Sequence, residues 1–266
     1  MFSSLTFSLL AAIFYSLAAA WVVLHLFNKA KVVPLLVRLL GLAGWFLHSL
    51  ALANQLDFSG FSYLGLLDAV SVVNWLLCGL VLLLSLAKPS LFLAAIIFPL
   101  AAASLIVAQF YKAQSLAFEA QQGLVLHIVI SFAAYSFLVL AAVQALLFGL
   151  QNSQLKKRNF TGLAKSLPPL QTMESLLFEF IYLGQVLLSL GILSGFIFLD
   201  NLFAPGLLHK TLLSIAAWVI FGSLILGHKI LGWRGQTAVR FTLGGSCLLL
   251  LAYFGSKFVL QFILVS

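Results

Sequence analysis

Eight long runs of apolar residues dominate this sequence and constrain its fold more than any other feature. Each run reaches about 20 residues, which at a rise of about 1.5 Å per residue lets an α-helix cross about 30 Å of hydrocarbon. The predicted spans lie near residues 5–27, 35–56, 63–87, 91–110, 123–150, 175–199, 209–228 and 239–263. We therefore expect an all-α, polytopic membrane bundle of about eight transmembrane helices.

Composition and pattern exclude the other broad classes of protein. Hydrophobic residues make up 63% of the 266 residues and charged residues only 8%, whereas about a quarter of a soluble chain is charged. The runs are continuous, unlike the alternating segments of about ten residues in a membrane β-barrel. The formal charge of +8 is scattered and gives no nucleic-acid-binding stripe. We expect one transmembrane domain over residues 1–266, in contact with lipid. Because the sequence contains no catalytic motif, we also expect that the protein is not an enzyme.

Basic residues are divided unequally between the two sides that alternating spans create. Eleven of the fourteen fall on one side: Lys29, Lys31, Arg38, Lys88, Lys156, Lys157, Arg158, Lys165, Lys229, Arg234 and Arg240. Only Lys112, Lys210 and Lys257 fall on the other side. The positive-inside rule assigns the larger set to the cytoplasm, so both termini are predicted to lie on the outer, periplasmic side.

Few ionisable side chains lie inside the predicted spans, where each needs a partner, a wet cavity or a ligand. From the rise per residue, His127 lies about 6 Å, Asp68 about 8 Å and His48 about 12 Å below the outer boundary. His228 lies some 20 Å lower. We therefore expect one outer site and a separate inner position.

The buried imidazoles point to metal coordination or to hydrogen bonding between helices. Two neutral imidazoles from neighbouring helices can hold heme iron between them, and His48 and His127 fit that requirement. Each could equally be a hydrogen-bonding residue of the kind that membrane bundles use routinely. Zinc is disfavoured because no close cluster of ligand residues occurs on one element.

Asp68 begins a helical stripe in the third span that should face protein rather than lipid. The stripe contains Asp68, Ser71, Trp75 and Cys78. Asp68 could accept a hydrogen bond from a histidine N–H and fix its tautomer. Alternatively, it is an acid stabilised by the dipole at a helix N-terminus.

Four short motifs occur in order in the second half of the chain. They are Leu126-His127-Ile128 with Tyr135 eight residues after the histidine, Gly191-Ile192-Leu193-Ser194-Gly195, His228 followed by Gly232-Trp233-Arg234-Gly235, and Tyr253-Phe254-Gly255. Their order and spacing resemble the integral-membrane cytochrome c assembly proteins, the heme-handling superfamily that includes CcsA, CcmC and HemX. The similar region covers about residues 123–259. Within the family, this sequence most resembles the short YpjD-like branch.

The resemblance implies a non-enzymatic, heme-handling protein of cytochrome c assembly type in the bacterial inner membrane. In larger members of that family, a histidine in the position of His127 is an outer axial ligand, and one in the position of His228 belongs to a heme site within the membrane. Carried across, heme b would be the cofactor and His48 the partner ligand from the first half. The implied partners are a heme or cytochrome maturation protein or another membrane protein.

Two departures from the family pattern keep a rival interpretation open. The family's tryptophan-rich outer segment should fall between Phe196 and Trp218, but residues 197–209 contain no tryptophan, and no histidine follows Tyr253. The rival hypothesis is an accessory or regulatory membrane subunit that keeps the scaffold without heme. A small-molecule transporter is a third alternative, which the lack of matching Gly/Pro-interrupted helices in the two halves disfavours.

Overall fold

The computed structural model describes residues 4–27, 33–55, 66–110, 122–158, 163–198 and 208–255, and within these ranges it contains helices and no strand. The helices are α1 (Ser4–Leu26), α2 (Pro34–Gln55), α3 (Leu66–Ala87), α4 (Ala94–Phe110), α5 (Gln122–Lys156), α6 (Leu163–Ser166), α7 (Leu170–Phe198), α8 (Leu208–Leu231) and α9 (Gln236–Leu250). A 3₁₀ turn, Leu91–Leu93, precedes α4, and a π-helical turn, Leu251–Gly255, follows α9. The predicted all-α architecture is confirmed.

Seven helical segments in the described ranges are long and apolar enough to cross a membrane. They are Ser4–Leu26, Pro34–Asn54, Leu66–Ala87, Leu91–Gln109, Gly123–Lys156, Leu170–Phe198 and Leu208–Leu231. They match the first seven predicted spans, with the largest differences at the end of α5 and the beginning of α7. The eighth predicted span corresponds to α9 and the π-helical turn, and its remaining residues lie outside the described ranges. The orientation of the termini stays a prediction.

Large apolar side chains cover the outward faces of these helices. Leu35, Leu83 and Ile230 are 64%, 65% and 76% exposed, respectively. Small residues such as Ala11 and Ala18 are fully buried between the helices instead. Small residues let helix backbones approach closely, and large apolar groups tolerate lipid, so this distribution suits a bundle surrounded by hydrocarbon.

Proline and glycine explain several helix boundaries. Pro34 is the first residue of α2, where a missing N–H costs no helical hydrogen bond. Gly232 follows the end of α8 with a φ of +68°, a conformation that glycine adopts without strain. The Trp233 amide then donates to the Gly227 carbonyl at 3.1 Å, which ties this turn back to the end of α8.

The helices form two compact units along the chain. In the first unit, α1 packs against α2 and α4, and α3 packs against α2 and α4, with the short α6 beside α1. In the second unit, α5 packs against α7 and α9, and α8 packs against the same two helices, so the four helices form a closed ring. The prediction of a single transmembrane domain stays a prediction.

Candidate functional site

His48 lies in the core of the first unit, on α2, and its side chain is fully buried. Its Nδ1 atom lies 3.4 Å from the Tyr15 hydroxyl on α1, and its Nε2 atom lies 3.0 Å from the Ser71 hydroxyl on α3. A neutral imidazole has one N–H donor and one lone pair, and each hydroxyl can either donate or accept. Both ring nitrogens therefore have a partner within the unit.

The surroundings of His48 are tightly packed. The Tyr15 ring lies 5.1 Å from the Phe98 ring between centroids, and it packs against Gly44 so closely that a Cβ atom there would approach it to 2.9 Å. The imidazole is thus held by hydrogen bonds that link α1, α2 and α3 in a part of the core with little spare room.

The stripe predicted on α3 faces protein, as its spacing indicates. Ser71 and Cys78 are fully buried, whereas Asp68 and Trp75 are partly exposed. Ser71, one turn after Asp68, is the member of this stripe whose hydroxyl bonds His48. A role for Asp68 in orienting a histidine stays a prediction.

His127 lies near the beginning of α5 in the second unit and is half-buried. Its Nδ1 atom lies 3.0 Å from the hydroxyl of Ser194 on α7. That hydroxyl donates to the Gly191 carbonyl at 2.8 Å, so its oxygen is left to accept from the ring. The arrangement favours a proton on Nδ1 and leaves the lone pair on Nε2.

His228 lies near the end of α8 and has a similar arrangement. Its Nδ1 atom lies 2.8 Å from the Trp233 carbonyl, which can only accept, so Nδ1 carries the proton. The imidazole stacks on the Phe178 ring of α7 with 3.6 Å between centroids. Its lone pair is therefore on Nε2, as in His127.

The Gly232–Gly235 turn holds the carbonyl that orients His228. The Trp233 ring packs so closely on Gly227 that a Cβ atom at that glycine would come within 2.3 Å of it. At the other end of the turn, the Gly235 amide donates to a carboxylate oxygen of Glu174 on α7 at 2.8 Å. The geometry of this turn therefore depends on Gly227, which leaves room for the indole ring, and on Gly232 and Gly235, which adopt positive φ values.

His127 and His228 lie at opposite ends of the second unit. Their respective contacts on α7, Ser194 and Phe178, are 16 residues apart, or about 24 Å along the helix. The two histidines are thus separated along the unit, as predicted, whereas the assignment of one to the outer side and the other to the inner side stays a prediction. His48 belongs to the other unit, and its pairing with His127 stays a prediction.

Two further histidines lie at helix ends. His25 lines a cavity of about 140 Å³ together with residues of α1, the 3₁₀ turn and the segment after α6. His209 is exposed in the first turn of α8. Among the residues that the structure describes, no group of three or more His, Cys, Asp or Glu side chains could hold a metal ion.

The sequence did not predict several of the contacts that orient these histidines. Ser194 was recognised only as part of a motif, although that motif could have suggested a partner for His127. Phe178 and Glu174 carry no sequence signal for their roles, because stacking on His228 and bonding to the Gly235 amide both depend on how α7 packs against residues far along the chain.

Comparison with known proteins supports the resemblance read from the motifs. The family described as Cytochrome C assembly protein matches residues 2–264, well beyond the motif-bearing region. The inner membrane protein YpjD of Escherichia coli (strain K12) is 31% identical over 260 residues, covering 97% of this chain and 98% of that protein. An uncharacterized 28.8 kDa protein in the nifR3-like 5′ region of Azospirillum brasilense is 38% identical over 143 residues, covering 52% of each chain. No solved structure matches.

The similarity to YpjD and the seven candidate spans agree on location. A chain with seven described helices of this length and hydropathy crosses the bilayer repeatedly. Its similarity to an inner membrane protein extends over nearly the whole of both chains. The chain is therefore a multi-pass protein of the inner membrane.

Proposed function

This chain belongs to the cytochrome c assembly protein family, and from that premise we propose that it binds heme b and handles it without enzymatic activity. Heme bound in this way supplies an iron centre for a cytochrome and is a cargo or cofactor rather than a reactant. The protein's own contribution is to bind the macrocycle, orient it and shield it from water.

The observation that carries the proposal is the hydrogen bonding of His127. An iron ligand must present a lone pair, and histidine ligands commonly donate their other ring N–H to a neighbouring oxygen. His127 meets both requirements, because the Ser194 hydroxyl oxygen accepts a hydrogen bond from its Nδ1–H group and the lone pair stays on Nε2.

His228 fits a second, separate heme position at the inner end of the same unit. The Trp233 carbonyl accepts a hydrogen bond from the Nδ1–H group of His228, and stacking on the Phe178 ring fixes the plane of the imidazole. His48 fits less well as a ligand, because iron coordination would require it to give up its bond to Tyr15 or Ser71. We therefore assign the first ligand role to His127, and the pairing of His48 with it stays a prediction.

Visible spectroscopy of the purified protein tests the proposal. Iron protoporphyrin IX is titrated into the detergent-solubilised chain, and the Soret band reports coordination. We expect His127→Ala to lower the affinity at least tenfold and to change the ligand-field spectrum, because an axial bond is lost. His25→Ala is the matched control, since it removes a partly buried histidine from the other unit. A wild-type spectrum identical to that of free heme, or an unchanged spectrum in His127→Ala, would contradict the proposal.

The closed hydrogen bonding of His48 favours one rival function, an accessory or regulatory membrane subunit that has kept the scaffold without heme. On that hypothesis, the buried imidazole only joins helices. The rival predicts co-purification with a fixed partner and full function in a double variant, His48→Ala with His127→Ala. Loss of function in the double variant together with a Soret band in the wild type would reject it.

A further inference from the structure

Two buried stripes on the second unit begin at the same end of its helix ring. On α5, His127 precedes a stripe of fully or almost fully buried residues at helical spacing: Ala134, Leu138, Ala141, Ala145 and Phe148. On α8, Lys210 precedes the fully buried Ala217, Phe221 and Leu224 with the same spacing. Residues seven apart lie on one helical face. His127 and Lys210 therefore lie on the faces of α5 and α8 that pack into the bundle.

The two residues also lie at a similar depth. Gln185 of α7 donates to the Trp218 carbonyl at 3.2 Å, and the Trp218 indole donates to Ser189 at 2.8 Å, which aligns the antiparallel α7 and α8. Lys210 lies eight residues outward of Trp218, or about 12 Å. Ser194, the partner of His127, lies five residues outward of Ser189 and nine outward of Gln185, or about 7 to 14 Å. The histidine and the lysine share a level to within about one helical turn.

Lys210 occupies an unfavourable position for a cation. It is half-buried, and no ion pair or hydrogen bond joins its side chain to any residue that the structure describes. It lies in the first turn of α8, where the helix dipole disfavours positive charge. It also belongs to the minority of basic residues on the predicted outer side. An anionic group from a ligand would offset all three costs.

We propose that Lys210 binds a propionate carboxylate of the heme that His127 coordinates, an inference that rests on the proposed function. Heme carries its propionates on one edge of an otherwise apolar macrocycle, so a bound heme needs a ligand for iron and a cation toward the polar edge. His127 and Lys210 supply these two groups from the facing sides of the ring formed by α5, α7, α8 and α9. Lys210 is thus a positioning residue that sets the orientation of the macrocycle relative to the membrane surface.

A comparison of two porphyrins tests this pairing. Iron protoporphyrin IX and its dimethyl ester, which lacks the carboxylates, are titrated into the wild type and into Lys210→Met. For iron protoporphyrin IX, we expect Lys210→Met to weaken binding about tenfold, the usual scale for a hydrogen bond to a charged group. For the dimethyl ester, the same substitution should change affinity less than about twofold, because no carboxylate remains to be bound.

Two controls accompany the titrations. Lys229→Met removes a cation from the opposite end of the same helix, where its Nζ atom lies 5.4 Å from the Tyr182 ring centroid, and it should leave both affinities unchanged. Lys210→Arg keeps the charge and should retain most of the affinity for iron protoporphyrin IX. Thermal unfolding of each variant shows whether the fold is intact.

The outcomes separate this inference from the proposed function. Equal losses for both porphyrins in Lys210→Met, or no loss for either, would overturn the propionate pairing while leaving His127-dependent heme binding in place. Absence of any Soret shift in the wild type would overturn the heme proposal and this inference together. Weakened binding of iron protoporphyrin IX alone, with His127-dependent spectra in both cases, supports the pairing.

Discussion

His48 and His127 are both histidines inside membrane-spanning helices, but their hydrogen bonding differs. His48 is fully buried in the first unit and has a hydroxyl partner at each ring nitrogen. His127 is half-buried in the second unit, and its hydrogen bond to Ser194 favours the proton on Nδ1. Burial alone therefore does not mark a ligand. A histidine is available to a metal when its neighbours satisfy one nitrogen and leave the lone pair of the other.

His228 extends the comparison to a third environment. Its Nδ1 proton is held by a backbone carbonyl, as that of His127 is held by a hydroxyl, and its ring is further restrained by stacking on Phe178. The two histidines of the second unit therefore share an arrangement that His48 lacks. In each case, the orienting group comes from one of the four motifs that the sequence analysis identified.

The largest expected effect is on stability, and it should fall on His48. His48→Ala removes the imidazole that bonds two hydroxyls and opens a cavity, so we expect the free energy of unfolding to fall by about 3 kcal/mol. His127→Ala removes one contact from a half-buried position and should cost about 1 kcal/mol. Unfolding in mixed micelles measures both variants. A larger loss of unfolding free energy in His127→Ala than in His48→Ala would contradict the inference that His48 is the more tightly bonded of the two histidines.

A smaller effect is expected at the turn that orients His228. In Gly227→Ala, the new Cβ atom would meet the Trp233 ring, which must shift together with the carbonyl that bonds His228. We expect a loss of about 2 kcal/mol in unfolding free energy, typical of overpacking. Gly244→Ala is the matched control, because nothing lies within 4 Å of its Cβ position. Gly244→Ala should be neutral or stabilising by up to about 1 kcal/mol, and equal losses in both variants would contradict the packing argument.

The smallest expected effect compares the serine partners of the two histidines. Ser194→Ala removes the acceptor of the His127 proton and should weaken heme binding about tenfold, as is usual for groups that orient metal ligands. Ser71→Ala removes a partner of His48 and should change heme affinity less than about twofold. Soret titrations measure both. A change of equal size in Ser71→Ala would indicate that His48 coordinates iron and would remove the difference between the regions.

Much of the fold could be predicted because membrane insertion depends on local composition. An uninterrupted apolar run must form a helix in hydrocarbon, where every backbone polar group needs an internal partner. The predicted beginnings of α1 and α2 are accordingly within one residue of the observed ones. The sequence placed the beginning of α7 near residue 175, but the helix begins at Leu170, directly after Pro168-Pro169, because proline is readily accommodated just before and at a helix N-terminus.

The candidate site was only partly predictable for a different reason. Depth along a helix follows from residue number, so the separation between His127 and His228 could be calculated before the helices were placed. The partners of an imidazole depend on helix rotation and side-chain direction, which one sequence does not specify. The sequence therefore predicts equivalent roles for His48 and His127. The structure distinguishes them, because His48 bonds Tyr15 and Ser71, whereas His127 bonds Ser194.

The sequence by itself determined that this chain is a helical membrane protein and, through the order of four motifs, which family it resembles. Both properties depend on apolar runs and on motif spacings, which are local features of the amino-acid sequence. Tertiary structure decided which histidine has a closed set of hydrogen bonds and which keeps a lone pair, and it aligned Lys210 with His127 across a helix ring. Such relations arise from packing between residues tens of positions apart, because hydrogen bonds are decided by distances of about 3 Å in space rather than by order in the chain.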